Sequence, residues 1–237
     1  MPTSTVPRSS LALRRIALFE GLADTCLERL AGECDWRTVD ARTPVFTRNS
    51  DGGEVFFLVA GRARITTYSP LGREVSFRDC EAGEHFGDLS AIDDAPRSAD
   101  VVTLESSVLA SLRPQAFIAL LQREPMVAMR ILRDLAAKVR GLTERVIELS
   151  TLGVQTRLHA ELLRLAHAAG VSDNQARIDP APPHAALASK ISTNREQVTR
   201  ELNALAKSGL LRKDGAHALV VTDVRRLDTL VADVRGA

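Results

Sequence analysis

Little in this chain would tie it to an oxidising compartment, a membrane or an active site. Its 237 residues include three cysteines, Cys26, Cys34 and Cys80. An odd number with no CxxC makes a poor disulfide framework and reads as buried thiols. No apolar run approaches the ~20 residues that span a bilayer. The stretch Met1 to Ser10 is polar, and Arg8 is followed by no long apolar block, so no secretory signal is read and a cytoplasmic protein is expected. There is no HExxH, no Gly-rich phosphate loop leading into a helix and Lys, and no nucleophile–base pairing. Neither a catalytic nor a metal site is therefore expected, and the chain reads as a non-enzyme. Net charge is only +1, which neither favours nor disfavours a polyanionic partner. No internal repeat is visible.

What is present has a clear order along the chain. Apolar content of 45% over 237 residues predicts a packed core and allows two domains. From His184 onward there are 9 Lys/Arg against 6 Asp/Glu, and before it 22 against 24. A basic C-terminal module carried on a near-neutral one fits that asymmetry. Residues 11–34 read as helical, with no Pro or Gly before Gly21. Residues 36–112 then break into short apolar or alternating runs (54–60, 62–68, 74–77, 99–104 and 108–112). Gly52-Gly53, Gly61, Pro70-Leu71-Gly72 and Gly83 divide them, as in a β sandwich or barrel.

Pro114 and Pro125 mark two helix starts. The second helix carries a seam, Leu132, Leu135, Val139, Leu142, Val146 and Leu149, with alternating intervals of 3 and 4. With Leu132 at heptad position a, Val139 and Val146 also fall at a, and the other three leucines at d. β-Branched a positions with Leu at d favour a parallel two-stranded coiled coil, so a homodimer is expected. Residues 155–169 read as another amphipathic helix, and 170–183 as a polar, Pro-rich connecting loop.

The segment from Ser192 to Leu202 is the most informative. Val198, Leu202 and Leu205 lie at i, i+4 and i+7 and point one way. Arg195, Glu196, Thr199, Arg200 and Asn203 lie on the other side, a set able to read base edges in a major groove. With His184–Lys190 it forms a helix-turn-helix around Ile191-Ser192-Thr193, stopped at Gly209 and followed by a hairpin about Asp214-Gly215. A last helix is expected from about Asp223 to Val234. Thr193 and Glu196 also fit a capping box, so base readout and helix capping compete for the Glu196 carboxylate.

Upstream, Gly83-Glu84-His85-Phe86-Gly87-Asp88-Leu89 and Pro96-Arg97-Ser98-Ala99 flank a short acidic segment. Gly87 permits close backbone approach, Asp88 can accept from a hydroxyl, and Arg97 with Ser98 can hold an anion. By residue chemistry alone, an Asp–Arg surface pair in a loop is the favoured reading.

Arg195-Glu196-x-Val198-x-Arg200, with the preceding helix pair and following hairpin, resembles the winged helix-turn-helix of the cyclic-AMP receptor protein (catabolite activator) family of bacterial transcription regulators. The resemblance runs from about residue 16 to 225. It implies an α+β fold: an N-terminal cyclic-nucleotide-binding β jelly roll of eight strands (11–124), a long dimerisation helix (125–153) and a C-terminal winged helix-turn-helix (154–237). It implies a double-stranded DNA operator, a palindrome with TGTGA-type half-sites contacted by Arg195, Glu196 and Arg200, with Thr193, Asn194 and Thr199 beside them. It also implies an allosteric ligand, cyclic AMP first and cyclic GMP second. Gly87 and Asp88 would face the ribose, and Arg97 and Ser98 the cyclic phosphate.

The family's base-contacting Thr and Ser correspond to Leu142 and Thr143, of which only Thr143 can hydrogen-bond. Lys138 on the same helix could approach the pocket. Asp88 stands where the family usually has Glu, and the segment between the two contact pairs is one residue shorter. RNA polymerase is an implied partner, although the loop at 171–179 differs too much to carry over a contact residue. The alternatives within the resemblance are a regulator under another effector, a redox or gas sensor, and a ligand-independent DNA-binding dimer. Iron–sulfur members use four cysteines, and His85, near a haem ligand of another relative, reads as structural. No metal or redox cofactor is expected.

Overall fold

A computed structural model describes residues 8–68, 74–215 and 217–235. The segment Met1–Pro7 and the turn at Pro70-Leu71-Gly72 lie outside the described residues. The chain divides into two units, Met1–Lys138 and Val139–Ala237.

The first unit opens with α1 (Ser10–Leu13), a 3₁₀ turn (Ala17–Phe19) and α2 (Asp24–Glu33). The helical reading of 11–34 is thus corrected to separate pieces. Gly21, at φ +74, turns the chain between the 3₁₀ turn and α2. The strands are β1 (Asp35–Val39), β2 (Pro44–Phe46), β3 (Val55–Ala60), β4 (Arg62–Tyr68), β5 (Glu74–Glu81), β6 (His85–Phe86), β7 (Asp100–Thr103) and β8 (Ser107–Leu112), with α3 (Asp88–Asp93) between β6 and β7. They form two antiparallel four-stranded sheets, ordered β1-β8-β3-β6 and β2-β7-β4-β5, the eight-stranded jelly roll expected.

Strand β3 shows why its run is apolar throughout. Phe56 and Leu58 point into the sandwich with Val39, Ala63, Cys80, Phe86, Val101 and Leu109. The alternate residues, Val55 and Phe57, point the other way. They pack on Leu13, Leu27 and Leu30 and on the helices that follow, α4 (Pro114–Arg123) and α5 (Pro125–Thr151). Successive strand residues face opposite sides, so a strand covered on both faces has no polar position. Both prolines start their helices as expected, and Val127 and Ile131 anchor α5 in this core.

The second unit contains α6 (Val154–Ala169), β9 (Val171–Ser172), β10 (Gln175–Ile178), α7 (His184–Lys190), α8 (Arg195–Lys207), β11 (Leu211–Asp214), β12 (Ala218–Val221) and α9 (Val224–Arg235). The connection at 170–183 is not all loop. Ser172 pairs with Gln175 across Asp173 and Asn174, which take φ +49 and +63. Positive φ at both central residues makes the tight hairpin turn that matches strand twist. β10 then joins β12, giving one sheet, β11-β12-β10-β9. Leu158, Leu162, Leu187, Val198, Leu202, Leu205, Val221 and Leu227 form the core beneath it. Gly209, at φ +78, ends α8, and Leu210 N–H donates back to Leu205 O at 3.0 Å, the closing bond of a left-handed helix stop.

Candidate functional site

In the first unit the predicted residues converge on one turn. Gly87 leaves β6 at φ +83, where a Cβ would sit 2.8 Å from Glu54 O and 2.9 Å from Arg97 Nη1. Only glycine fits both the dihedral and the space. The Arg97 side chain is 2% exposed. Its Nη1 donates to Gly87 O at 3.1 Å, and Nη2 donates to Glu54 O at 2.9 Å and Glu54 Oε2 at 3.2 Å. The guanidinium lies 4.2 Å from the Phe46 ring centroid, a stacked cation–π contact. Its backbone is pinned by Asn49 N–H at 2.8 Å and by Ser50 O at 3.2 Å. Burial draws its pKa below the usual arginine value, opposed by Glu54. Its Nε is buried and lacks a hydrogen-bond partner among the described residues. Ser98, the next residue, is exposed.

Asp88 follows Gly87 and is also buried, and its Oδ2 accepts from Lys138 Nζ at 2.7 Å. His85 Nε2 stands 4.0 Å from Asp88 Oδ2 and 4.0 Å from Asp134 Oδ2. Burial lowers its pKa, with Asp88 opposing, Lys138 adding, Asp134 opposing and Arg78 adding. Gly87 thus joins the two charged candidates: Asp88 extends it, and Arg97 donates to its carbonyl. The residues that sequence reasoning missed are Glu54, Phe46 and Asp134, which reach this turn from just before β3, from β2 and from α5. Neither motif nor spacing signals them.

An anionic ligand carrying hydroxyl groups suits this donor set. The buried cation has an orphaned N–H, the glycine turn admits close approach, and a carboxylate accepts beside it.

In the second unit α8 starts one residue later than a Thr193 cap requires. Ser192 takes φ +54 and Asn194 is extended. Asn194 is the N-cap, its side chain accepting from Gln197 N–H at 2.9 Å. The capping box from Thr193 to Glu196 is therefore corrected. Thr193 is buried, and its hydroxyl bonds Gln197 Oε1 instead. Arg195, Glu196, Arg200 and Asn203 are exposed, while Val198, Leu202 and Leu205 are buried, as the pattern predicts. Thr199 is half-buried, its Oγ1 2.7 Å from His184 Nδ1. Burial lowers the His184 pKa, as do Arg195 and Lys213. Glu201, on the same helix, pairs with buried His159 at 3.0 Å.

Along α5, five seam residues are exposed: Leu132 58%, Val139 63%, Leu142 55%, Val146 61% and Leu149 41%. Leu135 is half-buried against the first unit's core. Thr143 Oγ1 donates to Val139 O at 3.0 Å. Beyond the expected residues, Glu161 on α6 is fully buried beside Arg164, with Lys190 Nζ 3.7 Å away. Among the described residues no group of three or more His, Cys, Asp or Glu could hold a metal ion, and no helix is long and apolar enough to cross a membrane. All three cysteines are buried and unpaired.

Residues 36–124 match the cyclic nucleotide-binding domain family, and residues 156–230 the Crp-like helix-turn-helix domain family. The cyclic AMP receptor protein of Thermus thermophilus is 29% identical over 195 residues, covering 82% of this chain and 88% of that protein. The CRP-like cAMP-activated global transcriptional regulator of Mycobacterium tuberculosis is 24% identical over 216 residues, covering 91% and 96%. A variant of CooA from Carboxydothermus hydrogenoformans shares the fold, with a TM-score of 0.78 at 17% identity, covering 96% of this chain and 98% of that one.

Proposed function

The chain belongs to the cyclic-AMP receptor protein (catabolite activator) family of bacterial transcription regulators, and on that footing we propose that it is a homodimer binding a palindromic operator under cyclic-nucleotide control. The Gly87 turn carries the reading. It sets a buried arginine with an orphaned N–H beside a buried carboxylate, in the domain whose family binds cyclic nucleotides. Arg97 takes the cyclic phosphate through its planar fork, with the Ser98 hydroxyl adding a donor. Asp88 accepts from the ribose, and Gly87 lets the ligand approach the backbone.

Cyclic AMP is the first choice of ligand, in keeping with the names of the Thermus and Mycobacterium relatives. Cyclic GMP is the second. Choice between the bases is assigned to Thr143, which has a hydroxyl to offer, and to Leu142, which has no polar side-chain atom.

Arg195, Glu196 and Arg200 are assigned to base readout in a TGTGA-type half-site. An Arg fork matches guanine O6 and N7, and Glu196, relieved of the capping box, accepts from cytosine N4. Asn194 and Thr199 flank them, and Thr193 shapes the turn. The exposed stripe from Leu132 to Leu149 supplies the dimer seam, and two half-sites then lie about one DNA turn apart, ~34 Å. Functional divisions at 11–124, 125–153 and 154–237, an RNA polymerase contact and a cytoplasmic location belong to the same proposal. Ligand binding shifts DNA affinity only through its differential affinity for two states, typically about 1–3 kcal/mol. Calorimetric titration tests the ligand assignment: sub-millimolar binding of cyclic AMP or cyclic GMP that Arg97→Ala abolishes. Tight binding by that variant rejects it.

A further inference from the structure

A guanidinium presents Nε–H and the neighbouring Nη2–H along one edge, and that edge holds a carboxylate or phosphate through two parallel bonds. In Arg97 this edge is only half engaged. Nη2 donates to Glu54 Oε2 at 3.2 Å and to Glu54 O at 2.9 Å, while Nε is buried and unpartnered among the described residues. The two partners differ sharply in environment. The Arg97 side chain is 2% exposed and the Glu54 side chain 47%.

The buried cation is also fixed on its other sides, by Gly87 O and by the face of Phe46. The carboxylate reaches in from solvent and can return there at small cost. If it leaves, the bond to Glu54 O keeps the arginine docked, and an incoming oxyanion finds both Nε and Nη2. Exchange of one anion for another avoids a buried unpaired guanidinium, which would be costly.

We propose that Glu54 is a built-in competitor for the anion at Arg97. Its carboxylate holds Nη2, and the ligand's phosphate displaces it to take Nη2 together with Nε, so Glu54 sets the ligand concentration at which the protein responds. The proposal rests on the reading of Arg97 as the phosphate-binding residue. Glu54 immediately precedes β3 and lies outside the segments from Gly83 to Ala99 that bear the ligand resemblance, so this role is separate from those of Gly87, Asp88, Arg97 and Ser98.

The test is calorimetric titration of the full chain with cyclic AMP and with cyclic GMP, comparing wild type, Glu54→Gln, Glu54→Ala and Arg97→Ala. Glu54→Gln keeps the side chain's size and removes its charge. Binding about fivefold tighter is expected, the upper range for releasing a partly exposed ion pair, with Glu54→Ala tightening at least as much. Unchanged or weaker binding in both Glu54 variants, with Arg97→Ala inactive, overturns the competitor role and makes Glu54 a positioning residue, leaving the phosphate reading intact. Wild-type affinity in Arg97→Ala overturns the phosphate reading and the proposal together. Binding seen only in the Glu54 variants supports the competitor in its strongest form. Absence of binding in all of them overturns both.

Discussion

Lys138 Nζ lies 2.7 Å from Asp88 Oδ2, and of the two only the lysine retains real exposure, 32% against 4% for the side chains. Asp88 is one of the two charged residues assigned to the ligand, so its carboxylate is already committed to an ammonium on α5. Lys138→Met keeps the stem and removes the charge. The buried carboxylate then lacks its partner, at a cost of about 1–3 kcal/mol. Urea denaturation followed by Trp36 fluorescence should show a lower midpoint with an unchanged slope. An unchanged midpoint would mean that Asp88 is satisfied without Lys138.

Gly87→Ala places a methyl group 2.8 Å from Glu54 O and 2.9 Å from Arg97 Nη1, at φ +83. The backbone strain alone costs about 1–2 kcal/mol, and the arginine must shift as well. Both thermal stability and nucleotide affinity should fall, the latter by at least tenfold in a calorimetric titration. A variant that binds normally would show that the arginine's present position is unnecessary.

The His85 imidazole gives a pH signature. Burial lowers its pKa below the ordinary 6.5, with Asp88 and Asp134 opposing and Lys138 and Arg78 adding to the effect. Because the unfolded chain then takes up a proton at higher pH than the folded one, stability is full above about pH 6.5 and declines as the pH falls. Wild-type melting temperatures should drop between roughly pH 7 and 5, the range in which histidine titrates. His85→Gln should flatten that part of the curve. Equal slopes in the two proteins would assign the loss to other groups.

Asn194 and Glu196 should separate cleanly. Asn194→Ala removes the cap on α8 and should destabilise the second unit by about 1 kcal/mol. Glu196→Gln touches no cap and should change stability by less than about 0.5 kcal/mol. It should instead relax discrimination at one base pair, by about 1–3 kcal/mol in a competition binding assay. A large stability loss from Glu196→Gln would return that carboxylate to a structural role.

The elements legible in the sequence are those that local periodicity determines. Val198, Leu202 and Leu205 at helical spacing mark the inner face of α8, and the run 54–60 marks a doubly covered strand. Gly209 and the two prolines mark boundaries because each acts on its own dihedral. Features set by a single backbone angle elsewhere were not legible. Ser192 at φ +54 moves the cap from Thr193 to Asn194, and Asp173 with Asn174 at positive φ turns a polar connection into a hairpin. The site was half legible for the same reason. Gly87, Asp88, Arg97 and Ser98 form a local pattern, whereas Glu54 meets Arg97 across 43 residues. Its pairing depends on sheet topology, which no local signal carries.

Substituting charge into the α5 stripe should dissociate the protein. Val139 and Val146 are 63% and 61% exposed, so Val139→Glu with Val146→Glu should cost little in a single chain. In a paired seam the same changes bury like charges. Sedimentation velocity should give a dimer for the wild type and a monomer for the double variant, with unchanged far-ultraviolet dichroism. A monomeric wild type would remove the seam from the account.

The most direct measurement is the affinity of the full chain for a duplex bearing a TGTGA palindrome, by fluorescence anisotropy at fixed salt, with cyclic AMP, cyclic GMP or no nucleotide, in wild type and Arg97→Ala. One nucleotide should tighten wild-type binding by about 5- to 150-fold, the usual span of allosteric coupling, and leave Arg97→Ala unmoved. Wild-type affinity indifferent to both nucleotides, or an equal response in Arg97→Ala, would contradict it.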